Sequence, residues 1–406
     1  MIKILDADQI PLSEILARPE EKRDISGAVA NIIEDVRQNG DDALRRYTKE
    51  FDKAEPDTLE VPQEQIDRAL ADLEPGLRAV LEEAAENIRA FHRRQVQNGF
   101  VISDKPGILL GQKVTPIEKV GVYIPGGTAP LPSTVLMDCI PAKIAGCPET
   151  VMVSPPTCGG DIAPIILAAA KIAGVDRVFR CGGAQAVAAL AYGTESVPRV
   201  DKIVGPGNAF VAEAKRQVFG KVGIDMIAGP SDILVIADGN SDARQVAADL
   251  LSQAEHDQNA CAVLVTDSRT LAQDVAKELE AQLAVLPRQE TARASLERSG
   301  KIILVKDIPE AVGIANALAP EHLELCVDEP FAWLGQVKNA GSIFLGRSCP
   351  EAVGDYFGGT NHTLPTYGTA RFSSALSVED FVKKSQFVYY SGAALAEAAP
   401  KIAAFA

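Results

Sequence analysis

The N-terminal quarter of the chain places hydrophobic residues at helical spacing. An amphipathic stretch opens at Ser26 and runs to Asn39, where Gly40 is expected to stop it before Asp41 restarts a helix. A longer helical pattern covers residues 75–94. The pattern therefore predicts that the first hundred residues are mainly helical.

From Lys119 the pattern changes to short β-branched runs that alternate with helical stretches. The predicted strands are residues 120–124, 151–154, 177–181 and 202–204. The predicted helices are residues 133–145, 162–173, 184–192 and 209–219. Such alternation is typical of βαβ units, so it predicts a mainly parallel sheet.

A second alternating series begins at Asp232. Its predicted strands are residues 233–237, 262–266, 302–305, 323–327 and 343–345. Its predicted helices are residues 242–256, 271–283 and 308–318. We therefore predict an α/β protein with two similar units in tandem, a boundary near residues 227–230, and a helical tail after Ser377.

Length, charge and cysteine content narrow the class of protein. The 406 residues suffice for two or three domains at roughly 100–200 residues each. A net charge of −15 argues against a nucleic-acid or membrane-surface partner. The longest apolar runs fall short of the ~18–20 residues that span a membrane, and the N-terminus lacks the basic flank of a signal peptide. Seven scattered cysteines without C-x-x-C favour the cytoplasm, and any zinc would need nitrogen and oxygen ligands.

Three Gly-rich turns follow predicted strands, at residues 123–127, 181–185 and 204–208. Glycine lets a backbone approach a phosphate, and the next helix presents free N–H groups. Each turn carries a polar side chain suited to a nucleotide: Tyr123, Gln185 and Asn208. Tight turns favour Gly in any α/β fold, and the third turn lacks the last Gly of G-x-G-x-x-G. Together the three turns predict a nucleotide site, while the missing G-x-x-x-x-G-K-[ST] disfavours a P-loop enzyme.

The histidines suggest where chemistry takes place. Gln253 and His256 are three residues apart at a predicted helix end, where they offer an amide oxygen and an imidazole nitrogen to a metal. The alternative is an exposed helix end with chance polar residues. His92 lies in the Arg-rich stretch FHRRQ and is predicted to be solvated.

Two further segments carry candidate acids and bases. Glu321 and His322 precede a predicted strand and could supply two proton-transfer groups, or form an ordinary turn with a surface imidazole. Residues 354–366 form a long polar Gly-rich loop, which is uncommon unless it binds something. In it, Asp355 is a candidate carboxylate ligand and His362 is equally suited to a structural hydrogen bond. Together with the Gly-rich turns, these residues suggest metal-assisted redox chemistry.

Seven segments in chain order resemble the histidinol dehydrogenase family: VGVYIPGG, CGGAQAVAALAYGT, VGPGNAFVAEAKR, GIDMIAGPSDILVIAD, LLSQAEHD, APEHLEL and GDYFGGTNHTLPT. The resemblance implies NAD-dependent oxidation of L-histidinol to L-histidine through L-histidinal, the last step of histidine biosynthesis, with a zinc ion in the site. It also implies a homodimer with an intertwined C-terminal region. Its implied fold has two related, incomplete Rossmann-like domains with parallel sheets and small terminal helical segments.

The same resemblance implies a division into domains. Residues 1–20 would form a small N-terminal segment, and residues 119–230 an inserted nucleotide-binding domain. Residues 21–118 and 231–376 would together form a discontinuous zinc and substrate domain. Residues 377–406 would form a C-terminal helical arm, truncated relative to the family.

Roles carry over residue by residue. The implied zinc ligands are Gln253, His256 and Asp355. The implied acid–base pair is Glu321 and His322. The implied dinucleotide contacts are Tyr123, Gln185 and Asn208. The implied substrate contacts are Ser231, Gln253, His256, His322 and Asp355.

The sequence departs from the family at one point. The family's fourth zinc ligand is a His in the C-terminal segment, and no histidine follows His362 here. We therefore expect weakened or missing zinc in this form. Two alternatives stay open: a related dehydrogenase of another amino alcohol or diol, and a tail-less inactive homologue that binds ligand.

Overall fold

The computed structural model of the chain describes residues 2–18, 24–126 and 130–406. Gly127 of the first predicted turn and the predicted boundary between residues 20 and 21 lie outside the described residues. The described strands form three sheets, of which two are parallel and one is antiparallel.

The chain begins with a short strand and then forms a helical region. The elements are β1 (Lys3–Asp6), α1 (Leu12–Ile15), α2 (Ser26–Tyr47), α3 (Gln63–Ala71) and α4 (Pro75–His92). A π-helical turn, Thr48–Asp52, follows α2. The break predicted at Gly40 is present as a kink inside α2, where that residue has φ 48° and ψ −128°.

The first parallel sheet has five strands in the order β6-β5-β4-β7-β8. After the antiparallel strands β2 (Phe100–Ile102) and β3 (Ile108–Pro116), the sheet and its helices are β4 (Lys119–Tyr123), α5 (Pro132–Ala145), β5 (Glu149–Ser154), α6 (Pro164–Ala173), β6 (Arg177–Arg180), α7 (Gly183–Tyr192), β7 (Lys202–Val204), α8 (Ala209–Val218) and β8 (Gly223–Ile224). The predicted βαβ series is thereby confirmed.

The second parallel sheet has six strands in the order β1-β11-β10-β9-β12-β13. Its elements are β9 (Asp232–Ala237), α9 (Ala243–Ala254), β10 (Cys261–Thr266), α10 (Arg269–Leu283), α11 (Gln289–Arg298), β11 (Lys301–Leu304), α12 (Ile308–Leu318), β12 (His322–Cys326), α13 (Pro330–Leu334) and β13 (Ser342–Leu345). The second predicted series is confirmed as well.

The N-terminal strand corrects the prediction of helical structure at the start of the chain. β1 pairs in parallel with β11, with Lys3 opposite Lys301, so residues 3–6 are an edge strand of the second sheet. The small N-terminal segment over residues 1–20 stays a prediction. Four residues are too few to show a period, and the pairing partner lies about three hundred positions away in the chain.

The N-terminal helices pack on the first unit, and the grouping of residues 21–118 with residues 231–376 stays a prediction. Val29 and Leu44 of α2 share a core with Leu190 of α7, and Ile66 and Ile88 of α3 and α4 join the core beneath β4. α4 also reaches the loop of the second unit, because Asn87 Nδ2 donates to the Phe357 carbonyl at 2.9 Å. A parallel sheet is covered by helices on both faces. The outer sides of these covering helices are themselves apolar here, and the N-terminal helices pack against them.

The C-terminal tail begins with a strand, contrary to the predicted helical arm over residues 377–406. β14 (Val382–Tyr390) pairs antiparallel with β3 along its whole length, and α14 (Gly392–Phe405) follows. With β2, these strands form the three-stranded antiparallel sheet. Only the last part of the tail is helical, because the partner strand fixes the extended conformation of the first part.

His92 is fully buried, and the prediction of a solvated position is wrong. Its Nδ1 lies 2.7 Å from Gln95 Oε1 at the end of α4. The neighbouring arginines are exposed, whereas the side chain of His92 points into the protein. Near a helix end too few residues remain for the hydrophobic period to show which side is buried. Among the described residues, no helix combines the length and apolar character that crossing a membrane demands.

Candidate active site

A cavity of about 530 Å³ opens at the carboxyl ends of the first parallel sheet. Tyr123 ends β4, Gln185 lies in the first turn of α7, and Asn208 caps α8, so the three predicted turns bring their polar side chains to one pocket. Parallel α/β sheets bind ligands at this edge, because the connecting loops and helix N-termini converge there.

Tyr123 is held at the base of this cavity. It is 3% exposed, and its hydroxyl accepts a hydrogen bond from the Gly183 N–H at 3.1 Å. Burial raises the pKa of the Tyr123 hydroxyl to about 12, so the group stays protonated and keeps a proton to donate.

Gln185 is the clearest sign that the cavity receives a polar ligand. The side chain is 1% exposed, yet neither its amide oxygen nor its amide nitrogen has a hydrogen-bond partner. Buried polar groups without partners are rare and costly, so a bound group is expected to satisfy them. Close approach of the backbone also requires glycine here, since a Cβ on Gly182 would lie 2.5 Å from Pro155 Cβ.

A buried ion pair supports the third turn. Lys215 of α8 pairs with Asp225, both essentially without exposed side-chain surface. Lys215 Nζ donates to the Gly205 carbonyl at 3.0 Å, and Asp225 Oδ2 accepts from the Gly205 N–H at 2.8 Å. The pair therefore fixes the backbone that leads to Asn208, whose Oδ1 accepts from the first N–H groups of α8.

The predicted acid–base residues lie at the amino ends of the strands of the second sheet, whereas the cavity described above lies at the carboxyl ends of the first. Glu321 and His322 stand at the start of β12, beside the start of β9. The end of α9 comes back to the same edge, because a helix that follows a parallel strand runs antiparallel to it. This arrangement brings residues 253–256 and residues 321–322 towards one side of the sheet.

Asp232, which the sequence analysis did not single out, holds the acid–base pair. Its Oδ1 accepts from the Glu321 N–H at 2.7 Å, and its own N–H donates to Glu321 Oε2 at 3.0 Å. Its carbonyl oxygen lies 3.2 Å from His322 Nδ1. Arg18 forms an ion pair with Asp232 Oδ2 at 3.1 Å. The available signal was an acidic residue at the start of an otherwise apolar strand, DILVIA.

His322 and Asp355 are in direct contact. His322 is 3% exposed, and its Nε2 lies 3.3 Å from Asp355 Oδ1. Burial alone would lower the pKa of His322, but the charge of Glu321 and the contact with Asp355 outweigh it and raise the pKa. Burial raises the pKa of Glu321, against the charge of His322. A buried carboxyl and an imidazole with displaced pKa values are what general acid–base catalysis requires.

Of the other two predicted metal ligands, His256 is close enough to Asp355 for its charge to act on that carboxylate. Burial would raise the pKa of Asp355, but the bond to His322 and the charges of His322, His362 and His256 lower it. Gln253 is buried in the last turn of α9, and the His256 N–H donates to its carbonyl at 3.2 Å. The ligand set Gln253, His256 and Asp355 stays a prediction. An amide oxygen, an imidazole nitrogen and a carboxylate oxygen suit zinc in their donor chemistry.

Ser231 and His362 are placed beside these groups. The Ser231 carbonyl accepts from the Cys261 N–H at 3.0 Å, and the residue directly precedes Asp232. His362 Nε2 lies 3.3 Å from Ser133 Oγ, which favours the structural reading of this imidazole. Its segment also joins the two units, since Thr363 Oγ1 donates to Asp138 Oδ1 at 2.6 Å.

A second group of possible metal ligands lies beneath the site. Ligand atoms of Asp249, Glu324 and Cys326 are within 4.8 Å of one another. Burial raises the pKa of Glu324 to about 9 and that of Asp249 to about 6, so the two carboxyls share a proton at neutral pH. A protonated pair is a poor cation ligand.

Comparison with known proteins identifies the family. The family model described as histidinol dehydrogenase matches residues 16–406. The chain belongs to the histidinol dehydrogenase family. It is 55% identical to the histidinol dehydrogenase of Geobacter sulfurreducens over 94% of this chain and 90% of the relative. It is 50% identical to that of Lactiplantibacillus plantarum over 100% of this chain and 95% of the relative.

A solved structure within the family agrees with the fold. The crystal structure of histidinol dehydrogenase from Elizabethkingia anophelis matches with a TM-score of 0.93 and 39% identity. The match covers 99% of this chain and 93% of that one. The predicted resemblance to the histidinol dehydrogenase family is thereby confirmed.

Proposed function

We propose that the protein oxidises L-histidinol to L-histidine through L-histidinal, with NAD as the hydride acceptor and a zinc ion in the site. Family membership supports the substrate and the pathway step. The observation that carries the chemistry is the contact of His322 with both Asp232 and Asp355, next to the buried carboxyl of Glu321.

His322 is the base of the first oxidation. A hydrogen bond from Nδ1–H to the Asp232 carbonyl fixes the tautomer, so Nε2 is the atom that takes the alcohol proton as hydride leaves the carbinol carbon. Asp355 lies against the same Nε2 and stabilises the imidazolium that forms.

Glu321 acts in the second oxidation. Its side chain is fixed by the Asp232 N–H, and in its carboxylate form it takes a proton from the water that attacks the histidinal carbonyl. His322 then assists the second hydride transfer. Asp232 is shared by both groups, so one residue sets the distance between the acid and the base.

Gln253, His256 and Asp355 would hold the zinc. When bound, the ion supplies a fixed positive charge that binds the nitrogen atoms of the substrate and orients its carbinol. A cation held by Asp355 would oppose the effect of that carboxylate on His322 and would favour the neutral imidazole that a base requires.

The order of the two steps gives the decisive experiment. In Glu321→Gln, NADH formation from L-histidinal is expected to fall roughly 10²–10⁴-fold, while oxidation of L-histidinol to L-histidinal is spared more. Single-turnover assays with each substrate separate the half-reactions, and Glu290→Gln on the exposed surface is the control.

The outcomes also separate the alternatives. Equal loss of both half-reactions removes Glu321 from the water-activating role. Turnover of another amino alcohol or diol, but not of L-histidinol, identifies the related dehydrogenase. Failure of the parent protein to form NADH with added zinc identifies an inactive ligand-binding homologue.

Metal content tests the ligand set independently of activity. Zinc measured by elemental analysis is expected to fall in the double variant His256→Ala/Asp355→Ala and to be unchanged in Asp257→Ala, an exposed neighbour. The three proteins are compared after incubation with added zinc, and equal zinc contents above background in all three contradict the assignment.

We further propose a homodimer that works in the cytoplasm. All seven cysteines are free thiols, which suits a reducing compartment. The antiparallel sheet exposes apolar side chains on both of its faces: Val101 and Tyr389 are 61% and 56% exposed on one face, and Val388 is 68% exposed on the other. Patches of this kind mark protein interfaces. Val388→Asp is expected to yield monomers in light scattering, and an unchanged mass contradicts the use of this face.

A further inference from the structure

One charged side chain lines the cofactor cavity, and it comes from outside the Rossmann-like unit. Asp52 ends the π-helical turn Thr48–Asp52 of the N-terminal helical layer and lines the same pocket as Tyr123, Gln185 and Asn208. Among the lining residues that the structure describes, no lysine or arginine is present. The cavity therefore carries a single negative charge and no positive one of its own.

The Asp52 carboxylate is held ready for a ligand. Its Oδ2 is buried and has no hydrogen-bond partner. The adjacent Lys53 does not neutralise it, because Lys53 Nζ donates to the Glu50 carbonyl at 2.6 Å. Burial raises the pKa of the Asp52 carboxyl to about 6, so the group is still mainly ionised at neutral pH. A buried carboxylate oxygen without donors is unfavourable unless a ligand supplies them.

The position of Asp52 points to the adenosine half of a dinucleotide. Its charge acts on Tyr123 and Cys181 in the first unit. Glu321 and His322 are not among the residues that line this cavity. The nicotinamide must reach that pair, so the end of the cavity at Asp52 receives the other half. The neighbouring Phe51 lines the cavity and is 51% exposed, as suits a ring that stacks on a base.

We propose that Asp52 binds the adenosine ribose through its 2′- and 3′-hydroxyls and makes the site selective for NAD over NADP. A vicinal diol offers two donors to one carboxylate, whereas a 2′-phosphate would place two anions together without a cation to neutralise them. This inference rests on the proposed use of a dinucleotide. It adds the residue that distinguishes the two cofactors, and it places that residue in the N-terminal helical layer.

Equilibrium binding of NADH and NADPH, followed by their fluorescence, tests the proposal without turnover. The parent protein is expected to bind NADH at least ~100-fold more tightly than NADPH. In Asp52→Asn, loss of the charge-assisted bonds weakens NADH roughly 10-fold or more, while NADPH binding is maintained or improved. The preference is therefore expected to fall below ~10-fold. Glu50→Gln, which removes an exposed charge from the same turn, is the matched control and keeps the parent preference.

A modified ligand tests the same contact on the unaltered chain. NADH with a 2′-deoxyadenosine ribose is expected to bind the parent protein roughly 10-fold more weakly than NADH. In Asp52→Asn it binds no more weakly than NADH does, because the partner of the missing hydroxyl is already gone. Retention of the NADH preference in Asp52→Asn, or equal loss with the deoxy ligand in both proteins, overturns the role of Asp52. A parent protein that binds neither NADH nor NADPH refutes the proposed dinucleotide function itself.

Discussion

Replacing Asp138 by asparagine is expected to make folding less sensitive to alkaline pH. Asp138 lies in α5 with 0% exposure; its Oδ1 accepts from Thr363 Oγ1, and its Oδ2 has no partner. Burial raises the pKa of this carboxyl to about 8. The hydrogen bond from Thr363 lowers the pKa, and the negative charge of Asp225 raises it further. The folded protein therefore holds a neutral acid here at pH 7, and asparagine reproduces its shape.

The sign and size follow from proton linkage. The pKa of Asp138 in the folded protein lies above the ordinary 3.8, so its contribution to stability is complete below pH 3.8 and is lost as the pH rises through about 8. At about 1.36 kcal/mol per pH unit, the whole gap is worth at most about 6 kcal/mol. The interval from pH 5.5 to 8.5 contains roughly 2.5 units of the difference between the two pKa values. After relaxation of the protein around the charge, we expect the free energy of unfolding to fall by about 2–3 kcal/mol over this interval.

Urea unfolding followed by circular dichroism at pH 5.5, 7 and 8.5 measures this loss. Asp138→Asn is expected to match the parent protein near pH 5.5 and to gain about 2–3 kcal/mol on it by pH 8.5. Other groups titrate in the same range, so the difference between the two proteins is the quantity to compare. Asp57→Asn on an exposed turn is the control. A difference between variant and parent that does not change with pH would refute the reasoning.

Two further substitutions test the supports of the sites. Lys215→Met leaves Asp225 buried without its cation and removes the donor to the Gly205 carbonyl. We expect the free energy of unfolding in urea to fall by about 3–5 kcal/mol and to be partly restored by adding Asp225→Asn. An unchanged free energy of unfolding would contradict this. Asp232→Asn is expected to lower kcat roughly 10–100-fold, because it weakens the hydrogen bond that holds the backbone of Glu321. The KM for NAD is expected to stay within about twofold. A change confined to KM would point to a different role of Asp232.

The two parallel units were predictable because each strand and helix carries its own signal. Buried strands such as β9 contain continuous apolar runs, here residues 233–237, and the helices between them carry caps such as Asp242 and Ser268. Within these units the predicted elements agree with the structure to within a few residues. The contact between His322 and Asp355 was predicted only as a neighbourhood, because 33 positions separate them.

Other features depended on partners that are remote in the sequence. β14 looked helical by composition, but pairing with β3 makes it extended. β1 was too short to show a period, and its place beside β11 depends on an edge that exists only in the folded sheet. His92 lies in a polar stretch, and only the packing of α4 shows that it turns inward.

The sequence by itself determined most strands and helices of the two parallel units, the three Gly-rich turns and the identity of the residues suited to chemistry, because periodicity, caps and short motifs are local. Tertiary structure alone decided that the N-terminal helices cover the first unit, that Asp232 holds Glu321 and His322 together, and that Asp52 reaches the cofactor cavity. The physical reason is that burial and hydrogen-bond partners of a side chain are set by segments tens to hundreds of residues away, and these come together only when the sheets form.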